Sequence, residues 1–392
     1  MKNINFEEER IINRILKRNQ FSLNLDFLDK IIHNKSILIL GASGSIAQST
    51  ISYLDKKNFY EMILIDKDEN GLTKLSREIS LNNKKKTKFL CFDINSPPKL
   101  FYKRIKNKDL IILNFAALKH VRSETFKESL DYMLMTNCIS PFIIFDKLQK
   151  NNQISSFFSI STDKSNLPVN YMGASKRLTE YLLKIYKKKY NKTKISSTRF
   201  ANVLFSNGSL TESIIDKIKK RQNFGVPKNS FRYFISKNES AQIVLASLSD
   251  EFDGFISYPK INIIGKPISL VEIVKRISLI FKININFVNE IEDFSKSKYK
   301  EKKIHNLQVL LSNYTTGEKK SESFKISNDK SFNTKFIELK KIKLPSPPLT
   351  ITYKKIQNII KSKNKHEEIL NLIDNLSEFK HNKKKKSLFD II

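Results

Sequence analysis

The chain has 392 residues, of which 40% are hydrophobic, and a formal net charge of +32. This length allows one large α/β domain or two domains, and this composition is sufficient to bury a core. The lysines occur in every segment without interleaved aromatic residues, which argues against a nucleic-acid-binding face and favours a solvated surface that attracts anionic small molecules. No apolar run approaches the ~20 residues of a membrane span. The charged N-terminus lacks a signal-peptide core, so we expect a cytoplasmic protein.

The chain divides by composition into four segments. Residues 1–35 predict a charged helical lead-in, and residues 36–200 alternate between strand and helix patterns. Residues 201–330 are less regular and predict a smaller lobe that partly interleaves with the main sheet. Residues 331–392 contain a proline-rich break, helical patterns and a basic tail. The two cysteines, Cys91 and Cys138, lie in apolar contexts and predict reduced core residues, so no metal site is expected.

The stretch SILILGASGSIA at 36–47 predicts a strand, a glycine-rich turn and the start of a helix. Gly41 permits a tight turn, and Gly44, without a Cβ, lets the backbone approach a pyrophosphate whose charge the helix N-terminus favours. The same pattern also occurs in structural turns of ordinary α/β proteins. The predicted cofactor contacts in this turn are Gly41, Ser43, Gly44, Ser45 and Ile46.

Three further apolar strands follow at regular intervals and predict a doubly wound parallel sheet of the Rossmann type. Asp66 closes the second strand, where an acid would bind the adenosine ribose of NAD. Asp93 follows the third strand, near the expected adenine. The fourth strand, 110–113, runs into Ala116 and Ala117, which are small enough to pass beneath a dinucleotide.

A fifth apolar strand, 154–161, ends in polar residues at the edge of the sheet where ligands bind. Thr162, Asp163 and Lys164 follow it, and Met172 to Lys176 begin a helix that ends near residue 190. An acid and two lysines beside a nicotinamide would suit proton and hydride chemistry. On spacing alone, a loop ion pair between Asp163 and Lys164 and a solvated Lys176 fit almost equally well.

These stretches resemble the extended short-chain dehydrogenase/reductases, and within them the CapD-like polysaccharide biosynthesis branch of UDP-N-acetylglucosamine 4,6-dehydratases. The resemblance covers residues 25–330 and implies a dinucleotide-binding domain in 36–200 and a substrate-binding lobe in 201–330. The matching stretches are GASGSIA (41–47), DKDENGL (66–72), NFAALKHV (114–121), TNCISP (136–141), STDKSNLPVNYMGASKR (161–177), RFANVLFSNGS (199–209), FRYF (231–234) and TGEK (316–319).

The resemblance implies a role for each matching residue of the catalytic segment. Lys176 matches the lysine that holds the nicotinamide ribose, and Thr162 matches the residue that binds the sugar near C4. Asp163 and Lys164 match the acid and base of the elimination, which requires a lowered lysine pKa. Met172 replaces the usual tyrosine, as in the branch that retains configuration at C5.

The resemblance also implies a set of ligands. Asn202 matches a substrate contact, and Arg232 matches a UDP phosphate ligand. The remaining predicted substrate-binding residues are Lys119, His120, Asn137, Ser209 and Glu318. The cofactor is predicted to be NAD because Asp66 repels a 2′-phosphate, with NADP open because of the neighbouring Lys67.

Four departures from the family pattern are visible. Ala47 replaces a third glycine, which the fingerprint tolerates. Ala201 and Phe205 stand where glycines are expected, so the substrate loop is expected to be repacked. The segment 315–319, TTGEK, lacks the usual arginine and proline, which removes one expected phosphate contact.

The implied reaction is the dehydration of a UDP-N-acetylhexosamine to a 4-keto-6-deoxy sugar for bacterial surface glycan or nonulosonic acid synthesis. A nucleotide-sugar 4-epimerase or a C5-inverting dehydratase of the same fold is the alternative. A regulatory protein that lost activity and a basic nucleic-acid binder are further alternatives, the second opposed by the dispersed lysines. We expect a homo-oligomer.

Overall fold

The computed structural model describes residues 2–106, 108–289, 306–312 and 317–381. The departure at Thr315 and Thr316 and the basic run 383–386 lie outside the described residues. The strands, in chain order, are β1 (Ser36–Leu40), β2 (Glu61–Asp66), β3 (Thr87–Cys91), β4 (Asp109–Asn114), β5 (Gln153–Thr162), β6 (Lys194–Phe200), β7 (Asn202–Val203), β8 (Phe224–Pro227), β9 (Phe231–Arg232), β10 (Phe234–Ile235), β11 (Phe255–Pro259), β12 (Ile268–Ser269), β13 (Asn284–Val288), β14 (Asn306–Ser312), β15 (Ser331–Asn333) and β16 (Leu339–Lys343).

The helices connect these strands and cover both faces of the main sheet. They are α1 (Lys2–Leu16), α2 (Leu28–Ile32), α3 (Ser45–Leu54), α4 (Glu69–Glu78), α5 (Leu81–Lys84), α6 (Lys99–Arg104), α7 (Lys127–Leu134), α8 (Ser140–Gln149), α9 (Tyr171–Lys189), α10 (Leu210–Lys219), α11 (Lys237–Ala246), α12 (Ile261–Ile264), α13 (Leu270–Ile280), α14 (Tyr353–Lys361) and α15 (Lys365–Asp374). A π-helical turn, Met135–Ile139, joins α7 to α8.

The main sheet has nine strands in the order β15-β16-β11-β6-β5-β4-β1-β2-β3. The strands from β3 to β11 are parallel, whereas β16 and β15 add an antiparallel edge. The order reverses between β1 and β4, which places a ligand crevice at their carboxyl ends. The predicted Rossmann-like doubly wound sheet is therefore confirmed, and the strands predicted at 37–40, 62–65, 110–113 and 154–161 lie within β1, β2, β4 and β5.

A second, smaller core lies outside the main sheet. It combines the three-stranded sheet β13-β14-β8 with α10 and α13. Ile12, Ile15 and Leu16 of α1 are buried in it, so the N-terminal helix packs into this lobe through apolar side chains. The main sheet in turn takes β11 from within 201–330 and β15 and β16 from residues after 330.

The two cysteines differ in their surroundings. Cys138 is buried, and burial raises the pKa of its thiol to about 12. Cys91 is exposed, so its prediction as a core residue is wrong. The reason is that β3 is the outermost strand of the sheet and lacks a neighbour on one side.

The carboxyl ends of β1 and β4 are packed closely at Gly41. This residue has φ of +77°, and a Cβ built on it would lie 2.6 Å from the backbone nitrogen of Ala116. Both the backbone conformation and the absence of a side chain are therefore required here. The chain can turn from β1 into α3 while the segment after β4 passes directly beneath it.

We predict that Gly41→Ala lowers the free energy of unfolding by more than about 2 kcal/mol, because the left-handed conformation alone costs about 1–2 kcal/mol and the Cβ overlaps backbone. Gly225→Ala is the matched control. Its Cβ would meet its nearest neighbour at 3.7 Å, so a change below about 0.5 kcal/mol is expected. Urea unfolding followed by circular dichroism measures both, and equal stabilities of the two variants would contradict the prediction.

Candidate active site

The turn between β1 and α3 forms one wall of the crevice. A Cβ on Gly44 would meet only the carbonyl oxygen of Gly41, at 3.4 Å, so the space in front of Gly44 is open. Ser45 and Ile46 are the first residues of α3, and their N–H groups belong to its positively polarised first turn. The turn therefore offers backbone donors and room for an anion.

A cavity of about 160 Å³ opens beside this turn. Its lining residues are Gly41, Gly44, Asp66, Lys67, Phe92, Asp93, Ile94, Phe115, Ala116, Ala117, Leu118, Tyr132 and Thr136. Of the predicted cofactor residues, the lining therefore includes Gly41, Gly44, Asp66, Asp93, Ala116 and Ala117, and it does not include Ser43, Ser45, Ile46 or Lys176. The structure thus brings together residues from the ends of four different strands.

Asp66 is held in place by backbone donors. Its Oδ2 accepts a hydrogen bond from the N–H of Ser43 at 2.9 Å, and its Oδ1 accepts one from the N–H of Asp68 at 3.0 Å. Ser43 thus uses its N–H to orient the acid. The carboxylate of Asp66 is fixed at the rim of the cavity, where it can accept further hydrogen bonds from a ligand.

Asp93 is oriented by two residues that the sequence analysis did not assign to this site. The hydroxyl of Tyr132 donates to Asp93 at 2.5 Å, and Lys67 donates to that hydroxyl at 3.2 Å. The ammonium of Lys67 also lies 4.6 Å from the centre of the Tyr132 ring. Burial and the charge of Asp93 raise the pKa of Tyr132, which keeps it a donor. Tyr132 lies on α7 and carries no sequence signal that ties it to Asp93.

The predicted catalytic residues Asp163 and Lys164 follow β5 directly. Asp163 is 1% exposed, and its Oδ1 accepts hydrogen bonds from the hydroxyl of Thr162 at 3.0 Å and from Nζ of Lys164 at 3.3 Å. Its Oδ2 is buried and has no hydrogen-bond partner in the part of the chain that the structure describes. The three residues therefore form one hydrogen-bonded group.

The pKa of Lys164 is raised, whereas a role as a base requires a lowered pKa. Burial lowers the pKa of its ammonium, but the charges of Asp163 and Glu322 raise it, and the net direction is upward. The direction of this shift is therefore opposite to the one that a role of Lys164 as a base requires. Two nearby carboxylates outweigh the desolvation of the lysine.

Helix α9 places Lys176 beside the carboxyl-terminal part of β5. Nζ of Lys176 donates to the carbonyl of Ile160 at 3.1 Å, and burial lowers the pKa of Lys176 to about 8. Met172 is 4% exposed, and the hydroxyl of Tyr171 is directed instead to Asp374 at 2.9 Å. Lys176 therefore does not have the solvated position that the alternative interpretation required.

The absence of a side chain at Gly173 allows α9 to pack closely against the loop that contains Lys164. A Cβ on this residue would lie 2.5 Å from the carbonyl oxygen of Lys164. Asn170 caps the helix by accepting the N–H of Gly173 at 2.7 Å. The glycine and the cap together fix the loop 163–170 against the first turn of α9.

A fully buried ion pair lies beneath this loop. Arg199 donates to both carboxylate oxygens of Glu180, at 2.8 and 2.7 Å, and both side chains are 0% exposed. The hydroxyls of Ser161 and Ser165 donate to the same carboxylate at 2.7 and 2.8 Å. The pair therefore fixes both ends of the segment that contains Asp163. An arginine within the strand ISSTRF was the available sequence signal, since a buried strand rarely contains a charge.

The segment 317–324 contacts the loop 163–170 and carries Glu318, one of the predicted substrate residues. Arg232 of β9 is 4% exposed and donates to Glu318 at 2.9 Å and to the carbonyl of Lys320 at 3.3 Å. Lys319 donates to the carbonyl of Asn166 at 2.5 Å. The structure therefore brings Arg232 and Glu318 together with the loop 163–170, although more than 60 residues separate them from it in sequence.

Two other predicted substrate residues, Lys119 and His120, lie after β4. Lys119 donates to the carbonyl of Asn207, and burial lowers the pKa of its ammonium. A Cβ on Gly208 would lie 2.9 Å from Nε2 of His120. The N–H of Asn207 donates to the hydroxyl of Ser45 at 2.8 Å. The loop after β7 therefore contacts the glycine-rich turn and the end of β4.

Three predicted substrate residues have their polar groups engaged within the protein. Asn137 is 0% exposed, and its amide bonds to the backbone of Leu118 at 2.9 and 3.0 Å and to Ser175 at 2.9 Å. Its assignment as a substrate ligand is therefore replaced by a role in holding the segment after β4. Ser209 accepts the N–H of Glu212 as the N-cap of α10, and Asn202 donates to the carbonyl of Tyr233.

Phe205 has φ of +54°, in the region that favours glycine. The glycine expected at this position would adopt this conformation without strain, whereas Phe205 adopts it with a side chain. Its N–H donates to the hydroxyl of Thr211 at 2.9 Å. Ala201 is buried, at 6% exposure.

Residues 378–380 of the C-terminal segment form hydrogen bonds to the start of α9 and to the loop before it. Glu378 accepts a hydrogen bond from Arg177 at 2.9 Å, and the N–H of Lys380 donates to the carbonyl of Pro168 at 3.2 Å. Glu124 accepts the N–H of Met172 at 2.9 Å. Helix α9 is thus packed against α14, α15 and the residues that follow them, as well as against the sheet.

Within the described ranges, no group of three or more His, Cys, Asp or Glu side chains could hold a metal ion. No helix in those ranges is both long enough and apolar enough to cross a bilayer.

The fold and the site place the chain among nucleotide-binding α/β proteins with a lysine-containing helix after the fifth strand. The chain belongs to the family described as polysaccharide biosynthesis protein, which matches residues 37–343. It is similar to the capsular polysaccharide biosynthesis protein CapD of Staphylococcus aureus, with 26% identity over 67% of this chain and 43% of that protein. The chain spans about half the length of the curated relatives it matches.

Two solved structures share the fold. Pen from Bacillus thuringiensis is 22% identical, with a TM-score of 0.63 over 88% of this chain and 98% of that chain. UDP-glucuronic acid 4-epimerase from Bacillus cereus is 18% identical, with a TM-score of 0.57 over 74% of this chain and 90% of that chain. The second was solved with a fluorinated UDP-glucuronic acid and NAD.

We predict that Arg199→Met lowers the free energy of unfolding by about 3–5 kcal/mol, because it leaves the carboxylate of Glu180 buried without its partner. The double variant Glu180→Gln/Arg199→Met removes both charges and is expected to be more stable than Arg199→Met alone. Urea unfolding at pH 7 compares the three proteins. An Arg199→Met variant as stable as the wild type would contradict the role of the pair.

The same pair predicts a pH dependence. Burial raises the pKa of Glu180, but the charge of Arg199 outweighs it and lowers the pKa from 4.5 to about 2. The stability from this lowered pKa is fully present above pH 4.5 and is lost as the pH falls toward 2. Lowering the pH from 4.5 to 2 should therefore reduce the free energy of unfolding of the wild type more than that of the double variant.

Proposed function

We propose that the chain is a UDP-N-acetylglucosamine 4,6-dehydratase that retains the configuration at C5. The observation that carries the proposal is the hydrogen-bonded group Thr162–Asp163–Lys164 at the carboxyl end of β5, against the helix that contains Lys176. Family membership supports a nucleotide-sugar substrate. An acid and a base at adjacent positions are what an elimination of water needs and what a simple hydride transfer does not need.

NAD is the proposed cofactor, and the residues present fit it. The space in front of Gly44 and the first turn of α3 suit the pyrophosphate, while the carboxylate of Asp66 at the cavity rim suits the ribose hydroxyls. The structurally similar epimerase from Bacillus cereus was solved with NAD, which supports the assignment. When bound, NAD⁺ would supply a hydride acceptor for C4 of the sugar and a hydride donor for C6.

The chain's own residues would then move the protons. Asp163 protonates the departing 6-hydroxyl, and its buried Oδ2, without a hydrogen-bond partner in the described ranges, is the atom suited to contact the sugar. Lys164 removes the proton from C5 after C4 has become a ketone. Met172 cannot exchange the proton of the 4-hydroxyl, so we assign that step to the hydroxyl of Thr162 and its acceptor Asp163.

A nucleotide-sugar 4-epimerase is the second candidate. The raised pKa of Lys164 favours it, because a lysine that keeps its proton cannot remove one from C5. An epimerase needs only the hydride transfer and the 4-ketone. The dehydratase therefore requires that Lys164 lose its proton after the substrate binds.

Mass spectrometry of UDP-N-acetylglucosamine incubated with pure protein and NAD⁺ tests the proposal. Loss of one water from the nucleotide sugar is the expected result. An unchanged mass with a new C4 configuration in the NMR spectrum would favour the epimerase, and an unchanged substrate would contradict both.

We predict that Asp163→Asn and Lys164→Ala each reduce dehydration by at least ~100-fold, the usual scale for a general acid or base. Asp216→Asn and Lys220→Ala are matched controls, because these residues form an exposed ion pair on α10. Both controls should keep wild-type turnover. A near-wild-type rate in either site variant would remove that residue from the mechanism.

We predict retention at C5, because one base, Lys164, removes the C5 proton and returns it on the same face. The product should then be the xylo-configured 4-keto sugar. Running the reaction in D₂O and determining the C5 configuration by NMR decides this. An arabino-configured product would identify an inverting enzyme despite Met172.

A further inference from the structure

A contact between Lys67 and Tyr132 joins two separate parts of the cavity wall beside the glycine-rich turn. Lys67 follows β2 directly, next to Asp66, whereas Tyr132 lies on α7, and all three residues line the cavity. The ammonium of Lys67 donates to the hydroxyl of Tyr132 at 3.2 Å and lies 4.6 Å from the centre of its ring. The side chain of Lys67 is therefore directed toward α7.

Tyr132 is itself fixed in this position by Asp93. Its hydroxyl donates to Oδ2 of Asp93 at 2.5 Å, and Oδ1 of Asp93 accepts the N–H of Asn95 at 2.8 Å. Because the hydroxyl has one proton and gives it to Asp93, it presents its oxygen to Lys67 as an acceptor. The ammonium therefore meets a hydroxyl oxygen and the face of an aromatic ring, both of which attract a cation.

The charges of Asp66 and Lys67 would have opposite effects on a phosphate at the ribose. An acid at the end of the second strand binds the 2′-hydroxyl of NAD, whereas a cation close to it accommodates the 2′-phosphate of NADP. The carboxylate of Asp66 is held by the N–H groups of Ser43 and Asp68. Lys67 is exposed and has a long, flexible side chain, so its partner decides where its charge lies.

We propose that Tyr132 is the residue that makes the site selective for NAD over NADP. By holding the ammonium of Lys67, it keeps this charge away from the 2′ position and leaves the carboxylate of Asp66 as the charge that meets the ribose. A 2′-phosphate could recruit Lys67 only by breaking its contacts with Tyr132. The inference rests on the dinucleotide site of the proposed function and gives α7 a role in cofactor choice.

The dissociation constants of NAD⁺ and NADP⁺ test the inference, measured by calorimetry on the full chain freed of bound dinucleotide. The selectivity is the NADP⁺ constant divided by the NAD⁺ constant. In Tyr132→Leu this ratio should fall about fivefold, because a 2′-phosphate can then recruit Lys67 without breaking a contact. In Tyr132→Phe, which keeps the ring and loses the hydroxyl, the fall should be about twofold. A disturbance of Asp93 would affect both dinucleotides equally and cancel from the ratio.

Two further variants separate the charge of Lys67 from other effects of losing the ring. Lys67→Met removes the cation, so adding Tyr132→Leu to it should leave the ratio unchanged. Tyr60→Leu is the matched control. Tyr60 directly precedes β2, at the end opposite to Asp66, and the ammonium of Lys108 lies 5.2 Å from the centre of its ring. Loss of this lysine–tyrosine contact should leave the ratio at the wild-type value.

The outcomes separate this inference from the proposed function. A wild type that binds neither dinucleotide overturns both the cofactor assignment and the inference. A wild type that prefers NADP⁺, or a ratio that does not fall in Tyr132→Leu or falls equally in the Lys67→Met background, overturns the role of Tyr132 alone. If Tyr132→Leu does not fold, the direction of the change in Tyr132→Phe decides. Because the readout is binding, an epimerase in place of the dehydratase would leave the inference intact.

Discussion

The buried ion pair between Glu180 and Arg199 is the interaction on which the site depends. It joins α9 to β6, and through hydroxyl donors it also holds Ser161 and Ser165, on either side of Asp163. Arg199 further holds the segment that contains Glu322. Desolvating two charges is costly, and a pair of this kind adds little stability over an apolar equivalent. Its value here lies in geometry, because one charge pair determines the positions of two separate segments at once.

The charges above this pair are nearly balanced. Lys164, Lys319 and Arg232 lie near Asp163, Glu318 and Glu322, and these side chains are buried or half-buried. In such a setting, a neighbouring charge affects a pKa as strongly as burial does, so the direction of a shift cannot be deduced from burial alone. This is why Lys164 has a raised pKa whereas Lys176, with only one close carboxylate, has a lowered one.

Residues 374–380 of the C-terminal segment hold the start of α9 in place through hydrogen bonds. Glu378 and Lys380 bond to residues on and before α9, and Tyr171 at the start of the helix bonds to Asp374. Since Asn170 and Glu124 also satisfy N–H groups at the first turn, the helix start is held from several directions. The hydroxyl of Tyr171 is thereby directed toward Asp374 of α15.

The sequence by itself determined the sheet, because apolar strands separated by helical patterns and glycine turns allow few other folds, and it located the ends of β1, β2, β4 and β5. It also indicated Asp163 and Lys176, which follow directly from local motifs. Only the tertiary structure decided that Asn137 is buried within the protein, that Glu322 joins the site and that the pKa of Lys164 is raised. Each of these depends on groups far apart in the chain, and local sequence patterns contain no record of such distances or charges.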